Sequence, residues 1–205
     1  RFTIQGGGML SKQCAAMFAG APNSFFNKEV SGTRETYKAL RASDLSSDGY
    51  IATEGLQDIE IKEGKQIGKF LLKAGDVVLL ARGQSMRCCI VDEDAAKLNL
   101  VVTANFIVLR LKEEHSGEFL VTYFNSPIGK QTLNSPSISS STNAVKSISL
   151  GSLKKLELPF PSIVKQHQIS TLFHSHVKAK RAAMSLIEEQ EKAVQAKVLN
   201  WMWEE

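Results

Sequence analysis

Apolar and polar residues change their spacing several times along this chain, and each change marks an element. Behind Gly6-Gly7-Gly8, apolar side chains fall at Leu10, Cys14, Met17 and Phe18, close to a helical period, which predicts a short helix within residues 9–19. Residues 20–27 read as loop. Residues 37–40 lead into Ser43-Asp44-Leu45-Ser46-Ser47-Asp48-Gly49, a turn whose side chains hydrogen-bond their own backbone, so strand, turn, strand is expected. Ile59-Glu60-Ile61 alternates, 73–76 is a turn, and 77–81 is a continuous apolar run of the length of a buried strand. Further strands are expected at 88–91, 100–102 and 106–111. Residues 119–124 predict a short helix that stops at Ser126-Pro127, because proline cannot donate the helical hydrogen bond. The serine-rich stretch 134–149 predicts a long polar loop, and 156–161 an extended strand with proline exits. From about Val164 to Glu205 there is neither Gly nor Pro, which predicts one helix about 60 Å long.

Within that helix Phe173, Val177, Lys180, Met184, Ile187, Glu191, Val194 and Val198 follow alternating steps of four and three, the seam of a coiled coil in which only Lys180 and Glu191 are polar. An antiparallel second copy sets Phe173 against Val198, Val177 against Val194, Met184 against Ile187, and Lys180 against Glu191 with opposite charge. An isologous homodimer is therefore expected. The alternative is a stripe that packs on the chain's own domain. The pattern as a whole predicts a mixed α/β (α+β) domain over 1–163 and a long C-terminal coiled-coil helix over 164–205.

Composition narrows the classes. With 43% hydrophobic and 22% charged residues over 205 positions, the chain has the means to bury a core. No run approaches the roughly 18 apolar residues of a membrane span, and the start lacks the order of a signal peptide, so a cytoplasmic protein without a membrane partner is expected. Cys14 and the adjacent Cys88-Cys89 lack metal or redox spacing and are expected to be reduced and structural. A net charge of +4 permits a polyanionic partner without requiring one.

Several segments in order resemble the specificity subunits of type I restriction-modification enzymes. They are Tyr37-Lys38-Ala39-Leu40-Arg41-Ala42-Ser43-Asp44-Leu45 with Asp48-Gly49-Tyr50-Ile51; Gly75-Asp76-Val77-Val78-Leu79 with Ala81-Arg82-Gly83; Asn125-Ser126-Pro127-Ile128-Gly129; Ser140-Ser141-Thr142-Asn143; and Leu153-Lys154-Lys155-Leu156 with Leu158-Pro159-Phe160-Pro161, followed by Gln166, Gln168 and Ile169. The resemblance implies a recognition domain that reads one half of a split site in double-stranded DNA and a spacer helix behind it. Methyltransferase subunits, and in some assemblies a restriction subunit, would supply the chemistry. The family's usual chain carries two recognition domains and two spacer helices, whereas this sequence carries one of each.

Such a domain needs cations for phosphates and forked or amide side chains for base edges. Arg82, Gln84, Ser85 and Arg87 are the leading candidates, with Gly83 allowing close backbone approach. Arg41 and Ser43 form a second cluster beside Asp44, which equally suits a turn cap. Ser139, Ser140, Ser141, Thr142, Asn143 and Lys146 suit phosphate oxygens. For the arginines the plainer reading is a surface ion pair, and for the serine stretch a solvated linker. Lys62, Lys65, Lys69 and Lys73 would line one side if their segment were helical, and otherwise form a solvated face. Tyr50 and Phe70 could stack on bases, with core packing as the alternative.

Two other function classes were considered. The helix with incidental basic loops describes a protein-interaction adaptor that does not bind DNA. Asp48 twelve residues before Glu60-Ile61-Lys62 loosely imitates a metal-dependent nuclease, and His167, His174 and His176 gather at the helix start without a shared face. No nucleophile elbow, P-loop or methyltransferase tetrapeptide occurs, so no catalytic residue, metal or cofactor is expected.

Overall fold

The computed structural model describes residues 7–27, 29–32, 35–83, 86–142 and 145–203. Strand β1 (Gly7–Met9) runs through the one-turn helix α1 (Leu10–Gln13) into β2 (Cys14–Ala19). Then come β3 (Thr36–Leu40), β4 (Gln57–Glu60), β5 (Val77–Leu80), the two-residue β6 (Arg82–Gly83) and β7 (Cys88–Ile90). Helix α2 (Glu93–Ala96) precedes β8 (Leu100–Val102) and β9 (Phe106–Leu111), and α3 (Glu118–Asn125) and α4 (Pro127–Leu133) follow. The antiparallel pair β10 (Ser139–Thr142) and β11 (Val145–Ile148) leads through α5 (Leu150–Lys154) and β12 (Glu157–Pro159) to the long helix α6 (Ile163–Trp203).

The centre is an antiparallel sheet in the order β2-β9-β5-β7. Both of its faces are covered, which is why its strands read as unbroken apolar runs instead of alternating ones. Val77 and Leu79 of β5, with Ile107 and Leu109 of β9, pack toward Phe119, Leu120 and Phe124 of α3 and Val177 of α6. Val78 and Leu80, with Phe106 and Val108, face the other way onto Leu40, Leu45, Leu100 and Val102. That second layer contains the sheet β4-β3-β8, in which β3 runs parallel to β8 and antiparallel to β4. Each fully buried aliphatic side chain of these layers contributes roughly 1.5–3 kcal/mol.

Two expectations need correction, and a third gains a second role. The helix within 9–19 ends after one turn, and Cys14–Ala19 is instead a strand paired with β9 from Cys14↔Leu111 to Ala19↔Ile107. Partnership with a mostly apolar strand outweighs the local helical period. The polar stretch 134–149 is not a loop, because β10 and β11 pair in register and β11 continues onto β6, with Ile138 and Ile148 buried at the base. Its backbone groups are satisfied by pairing although its side chains are nearly all polar. Ser126-Pro127 ends α3 and also begins α4, since the Ser126 hydroxyl accepts from Gly129 N at 3.1 Å and proline stands at the first helical position, where its missing N–H costs nothing.

Helix α6 is fastened along its first third. Gln166 is 1% exposed; its amide nitrogen donates to Pro161 O at 2.8 Å and pairs with His115 Nδ1 at 3.2 Å, while its oxygen accepts from Ser116 N at 3.1 Å. Phe173 lies against Tyr50, with ring centroids 5.4 Å apart. Gly49, at φ +89°, lets the helix come this close, because a Cβ there would stand 2.9 Å from the Phe173 ring and 2.9 Å from Val121. Burial pushes the Tyr50 hydroxyl up to about 12, with Glu118 and Asp92 adding to it. The hydroxyl meets His174 Nδ1 at 2.5 Å, and His174 Nε2 meets Glu118 at 3.0 Å. Tyr50 and Phe70 are both buried, so core packing is their role. Among the described residues no helix is long and apolar enough to cross a membrane.

Candidate nucleic-acid interface

Two clusters that lie sixty residues apart in the sequence meet in one small sheet. Strand β6 stands beside β11 with Arg82 opposite Ser147 and Gly83 opposite Lys146, and β10 flanks β11 with Ser140 opposite Ser147, Ser141 opposite Lys146 and Thr142 opposite Val145. The sheet is bolted to the central layer where Ile148 N donates to Ala81 O at 2.8 Å. Arg82 is exposed, and its guanidinium has no hydrogen-bond or ion-pair partner among the described residues. A forked donor on a sheet whose neighbouring strands carry serines and a lysine offers groups suited to a phosphate backbone and the base edges behind it. Gln84, Ser85 and Asn143 lie outside the described residues.

Behind Arg82 opens a cleft of about 430 Å³ that also brings in Arg41. Its floor is apolar, with Leu40, Leu80 and Phe106, and its rim carries the amides Asn23, Asn27, Gln57 and Asn105. None of these amides was singled out in the sequence. The available signal was Asn105, an exposed amide in a three-residue link between two buried strands.

The remaining candidates also make contacts within the fold. Asp44 is 4% exposed; it accepts from Arg41 N at 2.8 Å, Arg41 Nη2 at 2.9 Å, Arg41 Nε at 3.2 Å and the Ser43 hydroxyl at 3.1 Å. Arg41 also donates to Gly55 O at 2.8 Å, so the ion-pair reading holds for it, with its guanidinium still half-exposed at the cleft. The Arg87 guanidinium turns to Leu45 O at 3.2 Å. Lys62, Lys65, Lys69 and Lys73 do not share a helix face, since only Lys69 falls in a single 3-10 turn. Lys65 and Lys69 lie over the rings of Phe25 and Phe70, at 5.3 and 4.7 Å.

The nuclease-like order of acids is dispersed. Asp48 pairs with Arg181 at 2.7 Å, whereas Glu60 is buried among Ser31 and Gly32 N, which donate at 2.8 Å each. Burial opposes the charge on both carboxyls, but Arg181, Ser46 and Tyr50 N hold Asp48 below the ordinary aspartate range, and Ser31, Gly32 and Asn27 do the same for Glu60. Among the described residues no three His, Cys, Asp or Glu side chains converge as a metal site. Burial pushes the thiols of Cys14 and Cys89 up to about 12 and that of Cys88 well above the ordinary thiol range, so none is a thiolate nucleophile.

The heptad seam of α6 is split. Its first residues serve the chain's own domain: Val177 is 4% exposed, Phe173 is half-buried, and Lys180 reaches the Ser47 hydroxyl at 3.3 Å. A copy-to-copy seam running through all eight positions is therefore corrected, because Phe173 and Val177 already have apolar partners. From Arg181 onward the helix leaves the domain, and Met184, Ile187, Val194 and Val198 are 45–62% exposed. A groove of about 610 Å³ runs between Ser46, Ser47 and Asp48 on one side and Lys180, Met184, Ile187 and Glu191 on the other.

The type I restriction modification DNA specificity domain model matches residues 23–191. Comparison with curated proteins returned no match. Among solved structures, the chain is similar to the HsdS subunit from Thermoanaerobacter tengcongensis, at 15% identity and a TM-score of 0.59, over 93% of this chain and 46% of that one. It is also similar to a chain from a structure addressing complex assembly and conformational transition of the type I R-M system, at 16% identity and a TM-score of 0.58, over 95% of this chain and 44% of the other. At these identities the likeness concerns the fold. The chain spans less than half the length of either structure.

Proposed function

The chain belongs to the type I restriction-modification DNA specificity domain family, and from that premise we propose that it reads one half of a split DNA site without catalysing any reaction itself. Residues 1–163 serve as the target-recognition domain and 164–205 as the spacer helix that sets the distance to a second domain. The observation that carries this reading is the meeting of Arg82 and Gly83 with Ser140, Ser141, Thr142 and Lys146 on one exposed sheet, beside a cleft holding Arg41. Base edges fall to Arg82, with Gln84, Ser85 and Arg87 in the adjoining segment, and phosphates to the serine strands with Asn143 and Lys146. Methyltransferase subunits, with or without a restriction subunit, are the partners that act on the DNA so selected.

The exposed part of α6 fits a second helix. We place an antiparallel copy in the groove beside Asp48, centred between Met184 and Ile187, with Lys180 of one copy facing Glu191 of the other. The overlap is shorter than the full seam because Phe173 and Val177 remain on their own domain. Exposed apolar surface of this extent on a protruding helix marks an interaction site.

Affinity for duplex DNA measured from 50 to 200 mM salt tests the reading. A DNA reader loses affinity steeply, and Lys146→Ala lowers the log–log slope by about one by removing one phosphate contact. Weak, salt-independent binding without sequence preference would instead favour the adaptor reading.

A further inference from the structure

We propose that Asn105, braced beside Arg82, is a specificity-determining residue that reads an A·T base pair next to the pair read by Arg82. This rests on the reading of the Arg82 sheet as the DNA-binding face. The brace is in the backbone: Asn105 O accepts from Ala81 N at 2.8 Å and from Arg82 N at 3.2 Å, so the two residues are held side by side where β5 passes into β6. The turn that carries Asn105 is closed by Phe106 N donating to Thr103 O at 3.0 Å, and it is clamped from behind by Gly20 N to Phe106 O at 3.0 Å and Ala21 N to Val102 O at 2.7 Å. Gly20 fits this clamp because a Cβ there would lie 2.1 Å from Thr103 O.

Everything the turn needs is therefore supplied by main-chain atoms. The Asn105 side chain is exposed at the cleft rim and has no hydrogen-bond partner among the described residues. A carboxamide offers one donor and one acceptor in a plane, which matches adenine N6 and N7 in the major groove, as a guanidinium matches guanine O6 and N7. Rigid placement of two such side chains on one backbone brace favours reading of neighbouring base pairs, since neither must be ordered at the moment of binding. Gln57 and Asn23 on the same rim hold no comparable brace.

Selection from a randomised duplex library with the full chain tests the proposal, with melting curves to confirm that each variant folds. The wild-type chain selects a motif in which Arg82→Ala erases one G·C preference. Asn105→Ala erases an A·T preference at the adjoining position, by about 5- to 150-fold, and leaves the other positions unchanged. Asn105→Asp, which keeps the shape but can only accept, moves that position toward cytosine through its N4 donor. An unchanged motif in both Asn105 variants overturns the inference while the proposed function stands. Equal weakening on all duplexes also overturns it, as the mark of a phosphate contact. A wild-type chain that selects no motif overturns the proposed function itself.

Discussion

Replacing Gln166 with Leu removes the polar anchor at the root of α6 while nearly conserving volume. The amide meets three groups: Ser116 N, Pro161 O and His115 Nδ1. The residue is 1% exposed, so water does not replace it. Leaving a buried donor or acceptor unpaired costs about 1–3 kcal/mol, and the three groups share one neighbourhood, so their costs do not add fully. A total of about 2–4 kcal/mol follows from the Ser116 amide and the Pro161 carbonyl. With a urea slope of about 2 kcal/mol per molar, the midpoint of unfolding followed by circular dichroism falls by about 1–2 M. Gln168→Leu, exposed two residues further on, changes stability by less than about 0.5 kcal/mol. A Gln166→Leu midpoint equal to that of Gln168→Leu would refute the claim that this network roots the helix.

Gly20→Ala forces backbone apart at the Asn105 turn and is expected to cost about 3 kcal/mol, seen as a melting temperature about 6–12 °C lower by scanning calorimetry. The Asp48 carboxyl sits below its unfolded value, so the link to Arg181 stabilises the fold above about pH 4 and is lost as pH falls through the depressed folded value. The stability gap between wild type and Asp48→Asn, measured from pH 7 down to pH 3, accordingly narrows toward the acid end, and a constant gap would remove that assignment. Lys180→Glu weakens self-association in sedimentation experiments and Glu191→Lys in the same chain restores it; no change in either would exclude the antiparallel pairing.

The parts legible from spacing alone were those whose local pattern and tertiary fate agree. Residues 77–81, 100–102 and 106–109 are apolar because both faces of their layers are covered, and α6 lacks any residue that would break it. Residues 14–19 were not legible, since a near-helical spacing of Cys14, Met17 and Phe18 was overridden by pairing with β9, a partner ninety residues away. The β10–β11 pair was hidden for another reason: its residues are nearly all polar, and what makes them strands is the neighbouring β6 edge. The site divides likewise. Arg82 and Lys146 stand out in the sequence by their side-chain chemistry, whereas Asn105 gains its proposed role only from a backbone brace to Arg82. The Phe173 and Val177 end of the α6 seam lies on the chain's own domain; heptad spacing describes an apolar stripe and is silent on which surface covers it.

Methylome sequencing with and without the gene for this chain tests the central claim most directly. Loss of one split methylation motif on deletion, and its return on complementation, is the outcome expected of a half-site reader. An identical set of methylated sites in the two strains would contradict it.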